Sequence, residues 1–175
     1  MRFGMLVIVW FAFAAHVVAG PLEDAVRTYD SGNYALAIDG FKGLATQGNA
    51  KAQFRLGMMY YHGQGVPEDE KLAVAWLIQA AKQGHIEAMF ELGNAYLVGS
   101  QASRLVEEPD REAAIWFHEA ARAGHAQAQY YLGLLFLAGN GVQQSRPNAE
   151  LWFAKAAAQG HAEAKRAIQV TKSKK

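Results

Sequence analysis

Cysteine is absent from the chain of 175 residues. A disulfide framework, a thiolate zinc site, a thiol nucleophile and a diacylglyceryl anchor are excluded with it. Proline is scarce, at four residues, while 51% of the chain is hydrophobic and 19% charged. That balance excludes a disordered or collagen-like chain and fits a globular core. Charge of one sign is also lacking: seventeen Lys and Arg meet sixteen Asp and Glu, for a formal +1, too balanced for a dedicated nucleic-acid binder. The five serines are scattered, and none sits in a G-x-S-x-G elbow. No G-x-x-x-x-G-K loop is present. Gly63-Gln64-Gly65 and Gly139-Asn140-Gly141 lack the third glycine of a dinucleotide fingerprint, so they are turn residues. No catalytic residue, cofactor or metal is expected. The length suits one domain or one short repeat array.

Long apolar runs are lacking except at the amino terminus. Arg2 precedes eleven apolar or small residues, Met5 to Ala15, and Val17-Val18-Ala19 sets small residues before Gly20-Pro21. These are the basic region, apolar region and cleavage site of a secretory signal over residues 1–19. The rival is an uncleaved anchor, but a spanning helix needs roughly 20 apolar residues, and Phe3 to Ala19 offers seventeen interrupted by His16. The expectation is a periplasmic or secreted protein with no stable membrane insertion after cleavage.

The remainder repeats. Leu56-Gly57, Leu92-Gly93 and Leu132-Gly133 are spaced by 36 and 40 residues, and Trp76, Trp116 and Trp152 by 40 and 36. The difference is a four-residue insertion between Gly93 and Trp116, best placed in the loop from Ser100 to Val106. Ala80-Ala81 recurs as Ala120-Ala121 and Ala156-Ala157, and Gln83-Gly84-His85 as Ala123-Gly124-His125 and Gln159-Gly160-His161. The expected organisation is a degenerate repeat at 20–48, full repeats at 49–84, 85–124 (with the insertion) and 125–160, and a closing helix with a basic tail at 161–175.

Each full unit reads as two helices. Apolar spacing predicts helix A over about Ala50 to Tyr61, ended by the glycines at 63 and 65. Pro67 bars helix through the loop, Asp69 is an N-cap, and helix B follows over about Glu70 to Gln83. Ala73, Trp76, Leu77, Ala80 and Ala81 share one face of helix B, which puts the recurring tryptophans in the core. His85, His125 and His161 follow the helix-ending glycine of successive units, with Asn49 in the same slot. Offset by a whole repeat, they cannot share one ion, so they are structural repeat positions. His62 and His118 are isolated surface or packing residues.

The string AQFRLGMMYYHGQGVPED followed by AVAWLIQAAKQGH resembles the Sel-one-like repeat, a relative of the tetratricopeptide repeat. The resemblance is strong over Ala50 to His161 and weak over Leu22 to Asn49. Three copies agree on Leu-Gly, an aromatic residue three positions on, the alanine pair and the closing glycine. In the middle copy Gly65 and Pro67 become Leu105 and Glu107, so its turn departs from the pattern. The resemblance implies an all-α, right-handed solenoid of stacked helix-turn-helix repeats that binds a protein or peptide and performs no chemistry. It also implies that helix A lines the concave surface, and a role as an envelope or host-contact adaptor. Without cysteine, the chain lies outside the branch whose helix pairs are tied by disulfides.

Comparing the copies separates scaffold from surface. Lys51, Arg55, Met58 and His62 become Glu87, Glu91, Asn94 and Val98, then Gln127, Tyr131, Leu134 and Ala138. The spacing i, i+4, i+7, i+11 makes each set one helix stripe: basic, acidic, then aromatic-apolar. Tyr131, Leu134 and Leu137 are expected to form an exposed apolar cluster. The candidate partner-binding residues are therefore Lys51, Arg55, Met58, His62, Glu87, Glu91, Asn94, Gln127, Tyr131 and Leu134. Two rivals stand beside this reading. A cell-wall or small-ligand hydrolase would need converging carboxylates, and Glu87 and Glu91, one helical turn apart, are the nearest pair. A membrane-tethered assembly subunit would need the leader to stay uncleaved.

Overall fold

A computed structural model describes residues 20–98 and 103–173. The leader at 1–19 and part of the inserted loop lie outside the described residues, as do the last two lysines of the tail. Among those described there are nine α-helices and no strand: α1 (Pro21–Asp30), α2 (Tyr34–Thr46), α3 (Ala50–His62), α4 (Glu70–Lys82), α5 (Ile86–Leu97), α6 (Pro109–Arg122), α7 (Ala126–Ala138), α8 (Arg146–Ala158) and α9 (Ala162–Ser173). The closest packing is within the pairs α1–α2, α3–α4, α5–α6 and α7–α8, and each pair stacks on the next helix in the chain. This is the expected all-α solenoid.

Local chemistry sets the helix boundaries. Asn33, Asn49, Asp69 and Ser145 each accept a hydrogen bond from the backbone N–H three residues on, satisfying a donor the first helical turn leaves unpaired. At the far ends of α3 and α7, Gly63 and Gly139 take φ of 64° and 81°, the left-handed cap that glycine adopts without penalty. In the middle unit α5 ends at Val98 with φ of −83°, and a short 3₁₀ turn over Ser103–Leu105 leads to α6.

The Leu-Gly step is a packing device. A Cβ at Gly93 would fall 2.7 Å from the Phe117 ring and one at Gly133 2.5 Å from Phe153, while one at Gly57 would lie 3.0 Å from Leu77. Helices A and B therefore touch at a bare backbone on one side and a large side chain on the other. Leu77, Phe117 and Phe153 are fully buried, each worth about 1.5–3 kcal/mol of transfer free energy.

That arrangement corrects the expected place of the tryptophans. Trp152 is buried, but Trp76 and Trp116 are only half-buried. The interior position of helix B is the residue after each tryptophan, because the side chain that fills the glycine's flat spot points straight at helix A. The tryptophan, rotated about 100° away, covers the margin of the core. Around Trp152 the Lys155 ammonium lies 4.1 Å from the ring centroid, a cation–π contact at the surface.

Candidate functional site

Helices α1 and α3 and the start of α5 share one side. Between α1, α3 and α5 that side is hollowed into a groove of about 690 Å³. From α1, Leu22 and Val26 give an apolar wall, with Glu23 and Asp30 beside them. From α3 come Lys51, Phe54 and Arg55, and from the start of α5 come His85 and Glu87.

The groove includes one helix cap, His85, whose chemistry recurs along the stack. His85, His125 and His161 are the N-caps of α5, α7 and α9: each Nδ1 accepts from the N–H of Ala88, Ala128 or Ala164 at 3.1–3.3 Å. The same imidazoles stack on the ring at one repeat position of the preceding A helix. His85 lies on Phe54 with centroids 4.5 Å apart, His125 on Phe90 at 4.4 Å and His161 on Tyr130 at 4.8 Å. One side chain thus closes a helix and glues two repeats.

A capping Nδ1 must carry a lone pair, so the proton of each neutral ring sits on Nε2. Burial holds the pKa of both His85 and His125 below the usual value, favouring that neutral form. Around His85 the carboxylate of Glu87 works against the shift, and the cations Lys51 and Arg55 reinforce it. Glu87 Oε2 lies 3.5 Å from Nδ1. That approach becomes an ion pair only when Nδ1 is protonated, and protonation there abolishes the cap.

The cations of the groove are not equivalent. Arg27 pairs with Asp24 at 3.2 Å. Among the described residues, Lys51 and Arg55 have no carboxylate within ion-pair distance. The Arg55 guanidinium lies 5.5 Å above the Tyr29 ring, whose hydroxyl donates to Gln64 Oε1 at 2.8 Å. Arg55 is held in place without being neutralised.

Of the ten residues singled out from the sequence, the structure brings Lys51, Arg55 and Glu87 together in this groove. Glu91 lies one turn beyond Glu87 and accepts from Asn94 Nδ2 at 3.3 Å. His62 and Gln127 are exposed, His62 edge-on to Tyr61. The expected apolar stripe needs correction. Met58, Tyr131 and Leu134 are half-buried and pack on the core, and Tyr131 stacks on Phe117 at 5.2 Å. The reason is geometric: in the last unit this stripe meets the large ring of Phe117, which drew Tyr131 inward. Leu137 alone of the three is exposed.

Sequence reasoning missed α1 as a groove wall and the imidazole–aromatic ladder. It also missed two buried relays. Gln53 Nε2 donates to the Ala45 carbonyl and its Oε1 accepts from Gln83; Gln129 does the same with Ala121 and Gln159. The signal was present, since the middle unit replaces both partners at once, with Met89 and Ala123.

Among the described residues no three His, Asp or Glu side chains gather as a metal site, and no helix is long and apolar enough to cross a membrane. The family model described as Sel1 repeat matches residues 50–85, 86–125 and 126–161. No curated protein sequence matches the chain. Among solved structures, the chain is similar to a Sel1 repeat protein from Oxalobacter formigenes, with 30% identity and a TM-score of 0.78 over 85% of this chain and 60% of that one. It is also similar to a protective antigen present in uropathogenic Escherichia coli strains, described as displaying an SLR fold, with 31% identity and a TM-score of 0.73 over 84% and 32% of the two chains. The chain thus spans less than two thirds of either relative. Cysteine rich protein B of Helicobacter pylori shares the fold at 18% identity and a TM-score of 0.52, over 82% of this chain and 93% of its own.

Proposed function

The chain belongs to the Sel1 repeat family, and from that premise we propose that it is an exported, non-catalytic scaffold that binds a protein or peptide in the groove between α1, α3 and α5. Repeats of this family serve mainly in protein–protein interaction. The observation that carries the reading is the pair of un-neutralised cations, Lys51 and Arg55, beside the apolar wall of Leu22, Val26 and Phe54. Apolar area and unpaired charge within one concave surface are what a peptide-binding site needs.

The leader at residues 1–19 supports a place outside the cytoplasm.

The test is capture from envelope extract and culture supernatant. The bait is the protein recovered after export, with its N-terminal residue determined. A second bait carries Lys51→Ala, Arg55→Ala and Glu87→Ala, all in the groove, its folding checked by circular dichroism. A partner retained by the first bait and lost by the folded second supports the groove. Equal recovery on both moves the site elsewhere. A bait beginning at Gly20 supports cleavage, and one beginning at Met1 overturns it.

A further inference from the structure

We infer that Asn140 is a site of spontaneous deamidation, and that its conversion to aspartate and isoaspartate loosens the last full repeat from the one before it. The inference is independent of the groove. It starts from the loop between α7 and α8, where Asn140 is followed by Gly141. Asn140 is exposed, and its backbone N–H donates to the Leu135 carbonyl. Among the described residues, neither its carboxamide nor the Gly141 N–H has a hydrogen-bond partner. A free carboxamide can turn its Cγ toward the next backbone nitrogen, and glycine has no side chain to block the approach. The reaction balances with water alone. The Gly141 amide loses its proton to solvent base, and its nitrogen attacks Cγ of Asn140. The new N–Cγ bond closes a succinimide ring as the Cγ–Nδ2 bond breaks and Nδ2 leaves, reprotonated, as ammonia. Water then adds to one imide carbonyl and breaks its C–N bond. Addition at Cγ gives aspartate; addition at the Asn140 backbone carbonyl gives isoaspartate, with the chain rerouted through Cβ and Cγ.

The other asparagines are held differently. Asn33 and Asn49 spend their side-chain oxygens on helix caps, and the Asn94 amide donates to Glu91. Asn148 lies in α8, and the nitrogen after it donates to the Ser145 carbonyl. The first full repeat supplies an internal comparison. Gly63-Gln64-Gly65 makes a similar turn, with φ of 64° and 75° at its glycines against 81° and 67° at Gly139 and Gly141. Gln64 is one methylene longer, so its cyclisation needs a larger ring, and the Tyr29 hydroxyl donates to its side chain. Conversion matters because the Asn140 loop is a joint between repeats. Gly141 lies on the start of α6, where even a Cβ would strike the Asp110 carbonyl. Isoaspartate lengthens the backbone just before that contact. Either product also adds a carboxylate next to the cleft that Gly139 and Gly141 share with Glu108 and Asp110, where like charges repel.

The experiment incubates the purified protein at 37 °C, at pH 8.5 and at pH 6, and follows it by peptide mass spectrometry with fragmentation that separates aspartate from isoaspartate. Asn140 is expected to gain about 1 Da sooner than any other amide, and sooner at the higher pH, while Gln64 stays intact. Asn140→Gln should abolish the change. Hydrogen exchange on the aged protein is expected to show protection lost in α7 and α8 and kept in α3 and α4. Aged Asn140→Gln keeps protection throughout, and fresh Asn140→Asp, which adds the charge without lengthening the backbone, loses less than the aged protein. Conversion of another asparagine as fast as Asn140, or full conversion of Asn140 with protection unchanged, overturns the inference.

Discussion

At the scale of single residues, the histidine caps link stability to pH. The unfolded chain holds these imidazoles near the ordinary pKa of about 6.5, and burial in the folded array lowers those of His85 and His125. Between the two values the unfolded state binds more protons, so stability rises with pH across that window. The contribution is fully present above about pH 6.5 and is lost as the pH falls through the lower folded value. Asn49 shows an untitratable cap in the same slot. His85→Asn with His125→Asn is therefore expected to keep the caps and flatten the dependence between pH 7.5 and 5.5, measured by urea unfolding. His85→Ala, by contrast, is expected to cost about 1–2 kcal/mol at neutral pH, from the cap and the Phe54 stack together. A slope unchanged in the double asparagine variant would place the acid sensitivity in other groups.

At the scale of elements, the glutamine relays tie three helices at one point. Gln53 is 5% exposed and spans from the last turn of α2 to the cap of α4. Gln83→Ala removes the donor to Gln53 Oε1 at this buried site and is expected to cost about 1–3 kcal/mol. Adding Gln53→Met recreates the pair present in the middle unit, Met89 and Ala123, and should cost less than the sum of the single changes. A double-mutant cycle reads this directly, and additivity within about 0.5 kcal/mol would show that the relay carries no coupling. The relay also shows what was legible beforehand. Helices A and B follow from apolar period, glycine and proline, and the Asp69 cap from residue type, because each depends on neighbours within about four positions. Basic and acidic stripes were equally legible, since helical period fixes a stripe without knowledge of what packs on it. The inward turn of Tyr131 and the half-exposure of Trp76 were not, because both depend on which side chain of another helix fills the glycine contact. The wall supplied by α1 was hidden for a related reason: its unit is too degenerate to align.

At the scale of the whole molecule, a stack of repeats is stabilised by neighbours, so its two ends carry different burdens. The closing helix α9 covers the last unit: Ala164 is fully buried with Ala149, Phe153 and Ala156, and Ala167 and Ile168 pack on that cluster. His161 joins it to α7 through the Tyr130 stack. Deleting residues 162–175 exposes this apolar cluster and is expected to lower stability from the carboxyl-terminal end. Hydrogen exchange should show protection lost first in α7 and α8, with α3 and α4 retained. The groove lies at the other end, between α1, α3 and α5, so peptide binding should survive the truncation while solubility falls. Uniform loss of protection would instead mean that the array unfolds as one cooperative block, and binding would then fall with it. Separation of the two effects is what a linear stack demands, because the only route from α9 to the groove passes through every intervening repeat interface.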